Sequence, residues 1–482
     1  MTQKNLRFKE SIFAVVVWFF SCNVTAAQDG PYVFYENNGA VVKTINADGS
    51  VKTDTFANMS GRSVTVFSPE LNRSFNVPIK PNLTDEPSVY PELTSKLYAI
   101  SDIEGEFQIF YTALLREGVI NSDFQWTYGR GHLVVNGDVF SRGNYVNEIL
   151  WLIYKLEAEA VAAGGKVHYL MGNHEMFHIM RNDFRYTTQK YFDSAAKLNK
   201  QMHELYNNQT ELGRWLRTKN IITKLGDYLL VHAGISQEVH DRNYSIQYMN
   251  EVGRARMKGP LDGPCSGDCA VITGSTAGLY WYRGIANGEV TQSQVDSFLT
   301  QLNTKRMIIG HTKGTDIRTM YQGKVILIDQ SHQDNWAANF TRALQQDKGC
   351  FNRATGQRLT PFTISYQRLI ANCDAPSSPG NPGFEQNLTN LAVQRSAWLH
   401  YTVNVPAGMS NFTVQLSGGS GDADLYVRRG AQPTAASYDC RPYKNGNNES
   451  CSLNSPQAGV WHVSVYGYVQ SAGMTLRMSA KP

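Results

Sequence analysis

Five short apolar segments of this 482-residue chain each end in a polar block that contains glycine. The blocks are, in order, Ser101-Asp102-Ile103-Glu104-Gly105, Asn136-Gly137-Asp138, Gly172-Asn173-His174-Glu175, His232-Ala233-Gly234 and Gly310-His311-Thr312. Stretches of helical periodicity lie between them, and this alternation is the pattern of an α/β domain. In such domains the carboxyl ends of the strands lie at one edge of the sheet, where ligands bind. The sequence therefore predicts one site built from all five blocks.

The polar blocks carry carboxylate, amide and imidazole groups, which are the donors that a pair of divalent cations requires. Two cations about 3.5–4 Å apart need a carboxylate between them to offset their repulsion, and Asp138 is the candidate bridge. A single histidine at a strand end is more often a hydrogen-bonded structural residue. Donors at five successive strand ends favour a dinuclear metal centre instead. The candidate donors are Asp102, Glu104, Asp138, Asn173, His174, His232 and His311.

The first 27 residues have the pattern of a secretory signal peptide. Lys4, Arg7 and Lys9 precede an apolar run over 12–22, and small residues follow at 25–27. That run of eleven residues is shorter than the ~20 that a bilayer core needs, so we predict a secreted or periplasmic protein without a membrane span.

The charge of the chain argues against polyanionic partners. Removal of the leader takes away three lysines or arginines and one glutamate, so the net charge falls from +4 to +2 (4 − 3 + 1). A nearly neutral protein lacks the excess of positive charge that would attract nucleic acid or an anionic membrane.

Six cysteines remain after the leader, and an even number in an exported chain favours disulfides. Fifteen pairings are possible, and proximity in the sequence favours 265–269, 350–373 and 440–451. The rival interpretation is a zinc site at Cys265 and Cys269. We set it aside because no second closely spaced pair completes a tetrahedron.

Composition and periodicity divide the chain into segments. Helical periodicity is clearest over 107–117 and 147–163, and the charged, amphipathic stretch 176–222 predicts helices that cover the site. The predicted organisation is a signal peptide over 1–27, a β-rich extension over 28–90, an α/β catalytic domain over 91–373, a linker over 374–383 and a separate β-sandwich over 384–482.

The order of the polar blocks resembles the metallophosphoesterase superfamily of calcineurin-like enzymes. The family order GDxHG, GDxxDRG, GNHE, HxG and GH is matched by SDIEG (101–105), GDVFSRG (137–143), GNHE (172–175), HAG (232–234) and GHT (310–312). The exported context and the sequence DIEGEF (102–107) resemble those of the bacterial Shewanella-like protein phosphatases. The resemblance implies a four-layer α/β/β/α sandwich that hydrolyses phosphate esters with a metal-activated water.

The same resemblance implies a ligand set for two cations. Asp102 and Asp138 correspond to ligands of the first cation, and Glu104 occupies the position of a family histidine. The second cation is expected at Asp138, Asn173, His232 and His311. Because glutamate offers a hard oxygen where the family has nitrogen, it favours Mn²⁺ or Mg²⁺ over Zn²⁺. The identity of the metals, among Mn, Fe, Zn and Mg, stays open.

Three further residues correspond to catalytic groups of the family. Arg142 and Arg283 correspond to arginines that bind phosphate oxygens, and His174 corresponds to the residue that donates a proton to the leaving group. Ser141 stands where the family has an aspartate that orients this histidine. Since a hydroxyl cannot hold an imidazolium as a carboxylate does, we expect a loss of order 10–100-fold unless another group, such as Glu175, replaces it.

The function implied is that of a secreted phosphatase acting on phosphate monoesters, with phosphotyrosine, phosphoserine/threonine peptides or small aryl phosphates as substrates. One alternative is a phosphodiesterase or nucleotide pyrophosphohydrolase of the same fold. The other is a binding protein whose site has degenerated at Glu104 and Ser141. Cysteine-based phosphatase chemistry is excluded, because no cysteine begins a CxxxxxR loop.

The C-terminal segment resembles the bacterial pre-peptidase C-terminal domain. The resemblance is carried by GDADLYVRRG (421–430), SYDCRPYKNGNNESC (437–451) and VWHVSVYGY (460–468). Domains of this kind accompany secreted hydrolases, and the resemblance implies that this one binds a polymeric surface or assists export. The DxD spacing of Asp422 and Asp424 is better explained by a turn that leads into a strand than by a calcium site.

Overall fold

The computed structural model describes residues 28–36, 39–93, 95–180, 184–259, 265–347, 350–358, 364–370, 384–405 and 409–481. The predicted leader and linker lie outside these residues. Within the described part of the chain, no helix combines the length and the apolar character needed to cross a bilayer. Two of the three predicted disulfides, Cys265–Cys269 and Cys440–Cys451, are formed. The third pairing includes Cys373, which is also outside the described residues.

The N-terminal region consists of short antiparallel strands. They are β1 (Asp29–Glu36), β2 (Gly39–Ile45), β3 (Val51–Phe56), β4 (Ser63–Ser68) and β5 (Arg73–Pro78). Strands β1, β2 and β3 form one sheet, and β4 and β5 form a hairpin. Alternate residues of the hairpin, such as Val66 and Val77, are fully buried, because period-two alternation gives a strand one apolar face.

The central region contains two mixed six-stranded sheets, with the strand orders β13-β14-β12-β11-β10-β6 and β17-β16-β15-β7-β8-β9. The strands are β6 (Val89–Tyr90), β7 (Leu97–Ile100), β8 (His132–Val135), β9 (Lys166–Tyr169), β10 (Ile222–Leu225), β11 (Tyr228–Val231), β12 (Arg306–Ile309), β13 (Arg318–Met320), β14 (Val325–Leu327), β15 (Phe340–Asp347), β16 (Cys350–Gln357) and β17 (Ile364–Arg368).

Helices cover the sheets. They are α1 (Phe107–Glu117), α2 (Val146–Ala162), α3 (Asn173–Met180), α4 (Gln189–Lys197), α5 (Glu211–Leu216), α6 (Gln237–Asp241), α7 (Ile246–Lys258), α8 (Asp268–Thr273), α9 (Gly284–Asn287), α10 (Gln292–Gln301) and α11 (His332–Ala337), with a 3₁₀ helix over Met202–Tyr206. Helix α1 has the predicted bounds and ends at Gly118, whose left-handed φ of +72° is typical of a helix end.

An apolar layer lies between the two central sheets. It combines Leu97 and Val134 of one sheet with Leu230, Ile308 and Ile326 of the other, all fully buried. The helices pack on the outer faces through a second, larger core. The order of layers is therefore helix, sheet, sheet, helix, and the predicted four-layer fold is confirmed.

The C-terminal region is a β-sandwich with its own hydrophobic core, as predicted. One sheet has the order β18-β24-β20-β22 and the other the order β19-β23-β21. The strands are β18 (Phe384–Val393), β19 (Trp398–Val405), β20 (Asn411–Ser417), β21 (Ala423–Arg429), β22 (Glu449–Asn454), β23 (Gly459–Gly467) and β24 (Ser471–Lys481). Asp424 pairs with Arg441 at 3.0 Å, and Asp422 accepts the Gly446 amide at 2.9 Å, which fits a structural role for both carboxylates.

Candidate metal centre

The predicted polar blocks meet at one edge of the central sheets. Strands β7, β8 and β9 are mutually parallel, and so are β11 and β12 of the other sheet, so within each sheet the carboxyl ends lie at one edge. Asn173 and His232 are buried beside Asp138. The other predicted site residues line a single cavity of about 200 Å³ and are Asp102, Glu104, Asp138, Arg142, His174, Arg283 and His311. The structure thus brings all nine predicted site residues together.

Asp138 lies at the centre of this cluster. Possible ligand atoms of Asp138, His232 and His311 lie within 4.8 Å of one another, and so do those of Asp138, Glu104 and His174. Asp138 is the only residue that these two groups share among the described residues. A carboxylate common to two adjacent groups has the geometry that a bridging ligand requires.

Backbone carbonyl groups fix which nitrogen each histidine turns toward the cluster. The Nδ1–H of His232 donates to Asn136 O at 2.6 Å, so its Nε2 faces Asp138 Oδ2 at 3.3 Å and Asn173 Oδ1 at 3.2 Å. The Nε2–H of His311 donates to Trp281 O at 3.1 Å, so the Nδ1 of this ring carries the lone pair that can bind a cation. Hydrogen bonds of this kind orient metal-binding histidines and raise their basicity.

The cluster concentrates buried negative charge. Burial raises the pKa of Asp138 to about 7. Burial opposes the charge on His232, but the adjacent Asp138 carboxylate outweighs it and raises the pKa of His232 to about 10. Burial and the neighbouring His232 lower the pKa of His311 to about 2, which keeps its imidazole neutral and able to bind a metal. These donors fit divalent cations, whose charge would offset the repulsion among the carboxylates.

Several residues around the cavity adopt a left-handed backbone conformation that residues other than glycine rarely adopt. The φ angles are +55° for Asp102, +46° for Glu104, +55° for Asp138, +56° for Arg142 and +63° for His311. Each such residue costs of the order of 1–3 kcal/mol and persists only where the surroundings enforce it. These backbone conformations direct the side chains of the loops into one cavity.

Two glycines permit the close approach of the polar blocks. A Cβ at Gly172 would lie 2.2 Å from Asp138 Oδ1, and a Cβ at Gly310 would lie 2.5 Å from Asp102 Oδ2. Both distances are far below van der Waals contact, so any other residue would displace a candidate ligand.

Glu175 connects the polar block at 136–138 to its own block at 172–175. Its carboxylate accepts hydrogen bonds from the backbone amides of Asp138 (2.9 Å), Val139 (2.6 Å) and Gly172 (2.7 Å) and from the Tyr169 hydroxyl (3.0 Å). The residue is fully buried. Glu175 is therefore engaged with backbone groups, and this engagement argues against it as the replacement for the aspartate missing at 141.

We expect Glu175→Gln to destabilise the protein by about 3 kcal/mol. The amide loses the charge that strengthens these hydrogen bonds and turns a donor toward backbone N–H groups, which leaves buried donors without an acceptor. Chemical denaturation would measure the change. The exposed Glu238 on α6 provides the control, because its change to Gln should alter stability by less than about 0.5 kcal/mol. Equal stabilities of the two variants would contradict the proposed role of Glu175.

Two guanidinium groups face the cavity beside the carboxylates. Arg142 forms an ion pair with Glu104, and its guanidinium lies 4.8 Å from the centre of the Tyr186 ring. Arg283 donates to His311 O at 2.7 Å and to Thr312 Oγ1 at 3.2 Å. Two arginines fixed next to a cation-binding cluster suit the recognition of a phosphate group.

An aromatic rim that the sequence did not predict surrounds His174. The ring centres of Tyr186 and Phe177 each lie 5.3 Å from His174, and Trp281 continues the rim 5.3 Å from Phe177. Tyr186 is 41% exposed, so the rim opens to solvent. None of these three aromatic residues was among the predicted site residues.

Sequence reasoning also missed Asp329, which lines the same cavity and is 4% exposed. Burial and the charges of Asp102 and Asp138 raise its pKa to about 9. The signal was present, because the apolar run Val325–Ile328 ends at this aspartate as other strands end at their ligands. The residues that follow, Asp329-Gln330-Ser331-His332, contain no glycine and so differ from the five predicted blocks.

Comparisons with known proteins agree with this architecture. The family model described as calcineurin-like phosphoesterase matches residues 95–312. A crystal structure of the cold-active protein-tyrosine phosphatase of a psychrophilic Shewanella species is 30% identical, with a TM-score of 0.63, and covers 71% of this chain and 99% of that one. Shewanella-like protein phosphatase 2 of Arabidopsis thaliana is 25% identical over 71% of this chain and 94% of its own length.

The C-terminal region matches a different family. The model described as bacterial pre-peptidase C-terminal domain matches residues 399–467. The neutral protease of Vibrio proteolyticus is 43% identical over 109 residues, and the chain spans only 18% of the length of that protease. The chain therefore belongs to the calcineurin-like phosphoesterases related to the Shewanella-like phosphatases, and it carries a bacterial pre-peptidase C-terminal domain.

Proposed function

We propose that the protein is an exported phosphatase that hydrolyses phosphate monoesters at a centre of two divalent cations. The observation that carries this proposal is the meeting of two arginines, Arg142 and Arg283, with a buried cluster of carboxylates and imidazoles in one cavity. A phosphate monoester has up to two negative charges on its terminal oxygens, and such a cavity offers positive groups on several sides of them.

Each residue of the cavity has a proposed role in binding the cations or the phosphate. Asp102, Glu104 and Asp138 would hold the first cation, and Asp138, Asn173, His232 and His311 would hold the second. When bound, two such cations neutralise phosphate charge and make water a nucleophile at neutral pH. Arg142 and Arg283 orient the terminal oxygens of the ester for an in-line attack.

His174 would donate the proton that the leaving oxygen needs. Its ring lies next to Asp138, with Nε2 3.7 Å from Oδ2, and on its other side it contacts the open aromatic rim. A leaving alcohol placed against the rim would therefore lie within reach of this imidazole. Proton donation of this kind contributes typically 10²–10⁴-fold to a rate.

The aromatic rim favours esters of phenols over esters of simple alcohols. The ring centre of Tyr186 lies 5.3 Å from that of His174, and the ring centre of Trp281 lies 5.8 Å from that of His311. A phenol leaving group near His174 could pack against these rings, and aromatic pairs contribute about 0.5–1.5 kcal/mol beyond the area they bury. A related enzyme is named a protein-tyrosine phosphatase. We therefore propose phosphotyrosine or another aryl phosphate as the preferred substrate, ahead of phosphoserine and phosphothreonine.

A comparison of esters tests the proposed function. With Mn²⁺ added, we expect kcat/KM for p-nitrophenyl phosphate to exceed that for bis-p-nitrophenyl phosphate by at least about 100-fold, because a diester lacks the second charge that the arginines recognise. A phosphotyrosine peptide should be preferred to the matching phosphoserine peptide, as phosphate release would reveal.

Other outcomes would support the alternatives. Faster turnover of the diester, or of a nucleoside triphosphate, would favour a phosphodiesterase or pyrophosphohydrolase. No turnover of any ester by protein that contains two metal equivalents would favour a binding protein with a degenerate site.

We also propose that the protein acts outside the cytoplasm. The support is the C-terminal domain, which resembles parts of bacterial proteases such as the extracellular protease of Xanthomonas campestris, together with the two disulfides. N-terminal sequencing of protein recovered from the periplasm or medium should begin at about residue 28. An intact N-terminus in a cytoplasmic fraction would contradict the proposal.

A further inference from the structure

Asp329 lies at a sixth strand end, at the same edge of the sheet as His232 and His311. Strands β12 and β14 are parallel, with Ile309 paired to Leu327, and the Ile328 amide donates to Ile309 O at 2.8 Å. The chain continues from Ile309 to His311 and from Leu327 to Asp329, so the two side chains leave neighbouring strands at the same level. Topology therefore places Asp329 where the other candidate ligands lie.

The carboxylate of Asp329 has no partner among the described residues. It is 4% exposed and lines the cavity with Asp102, Glu104 and Asp138, yet no hydrogen bond or ion pair joins it to a described side chain or amide. A buried carboxylate without a counter-charge is strongly unfavourable, and buried charges are as a rule paired or bound to metals.

Two polar side chains close to Asp329 in the chain form their hydrogen bonds with other residues. The Gln330 amide donates to Arg342 O and accepts from Asn335, both at 2.9 Å. The Gln333 amide donates to Glu106 at 3.2 Å. Lys313 also lines the cavity but forms no ion pair with Asp329 in the described structure. Since no described group forms an ion pair or a side-chain hydrogen bond with Asp329, a cation inside the cavity would supply the close counter-charge that its ionised form needs.

We propose that Asp329 is a further ligand of the cation assigned to Asp102, Glu104 and Asp138, a step that rests on the metal centre of the proposed function. The protein ligands assigned to this position would then all be carboxylates, whereas the second position combines Asp138 and Asn173 with two imidazoles. Carboxylates select hard cations such as Mn²⁺ or Mg²⁺, and imidazoles suit Zn²⁺ or iron. The two positions would therefore prefer different metals, with Asp329 setting the choice at the first.

Metal binding by the full-length protein tests this assignment without a substrate. After removal of metals, equilibrium dialysis against MnCl₂ should give two bound Mn²⁺ for the wild type. Asp329→Asn keeps the shape but removes the charge, and we expect it to weaken one of the two sites by about 100-fold. Asp334→Asn is the matched control, because Asp334 is exposed on α11 and should leave both sites unchanged.

A second variant gives a direct readout of ligation and does not depend on the behaviour of Asp329→Asn. Asp329→Cys places a thiol at the same position, and addition of Cd²⁺ should produce a thiolate-to-cadmium charge-transfer absorption that the wild type lacks.

The outcomes separate this proposal from the one it rests on. Wild-type protein that binds no Mn²⁺ would contradict the metal centre as a whole. Two unchanged Mn²⁺ sites in Asp329→Asn, or no new absorption in Asp329→Cys when Cd²⁺ is bound, would overturn the role of Asp329 alone.

Discussion

Asp138→Asn is expected to lower kcat by at least about 10³-fold, which corresponds to about 4 kcal/mol of lost transition-state stabilisation. Asp138 belongs to both groups of possible ligands, and its Oδ2 lies 3.3 Å from His232 Nε2. Asparagine has nearly the same shape, but it carries no charge and offers only one oxygen. It cannot bridge two cations, so both positions should lose affinity together.

The control for this variant lies at the opposite end of β11, a strand that leads to another residue of the site. Asp227 precedes β11, the strand that leads to His232, and forms an exposed ion pair with Lys305 at 2.7 Å. Asp227→Asn should retain kcat within a factor of two. Steady-state kinetics with p-nitrophenyl phosphate and metal analysis of both variants would be measured together. Full metal content with kcat within tenfold of the wild type in Asp138→Asn would rule out the bridging role.

The strand ends could be read from the sequence because parallel strands in such a fold must be buried. Leu97–Ile100 and Tyr228–Val231 are continuous apolar runs, and a polar residue directly after such a run has to lie at the sheet edge. This reasoning located Asp102 and His232 without any knowledge of how the two sheets pack. It failed at Asp329 only because the turn that follows contains no glycine.

The antiparallel strands that extend one central sheet were not predicted. Strand β15 pairs with β7, with Leu344 opposite Ala99, far away in the chain. Its buried positions include Gln345, which accepts a hydrogen bond from Asn352 of β16 at 2.7 Å. Polar residues satisfied across strands in this way break the apolar pattern on which strand prediction depends.

The ion pair between Glu104 and Arg142 also could not be predicted from the sequence. The two residues belong to different blocks, and both have a left-handed backbone. Residue type predicted that Glu104 would bind a cation and Arg142 a phosphate, but their mutual contact depends on strained loop conformations that only the packed structure enforces. The pairing suggests that the carboxylate at 104 orients the arginine as well as offering oxygen to a cation.

His174→Asn should separate proton donation from metal binding. The ring contacts Phe177 and Tyr186 of the rim, and its Nε2 is 3.7 Å from Asp138 Oδ2, farther than the 3.3 Å of His232 Nε2. We therefore expect kcat to fall by about 10²–10³-fold while both cations stay bound. His240→Asn, on α6 beside Ser297, is the control and should leave kcat unchanged.

The loss in His174→Asn should depend on the leaving group. An alkyl alcohol is a poor leaving group and needs the proton, whereas p-nitrophenolate departs without one, so the decrease in kcat should be about tenfold larger for an alkyl phosphate than for p-nitrophenyl phosphate. This difference tests the assigned role against that of a metal ligand, because a ring nitrogen of His174 also lies within 4.8 Å of donor atoms of Glu104 and Asp138. A ligand would lose metal equally in Asp138→Asn and His174→Asn and would slow all esters alike. Metal analysis and a series of esters with graded leaving-group pKa would therefore distinguish the proton donor from the ligand.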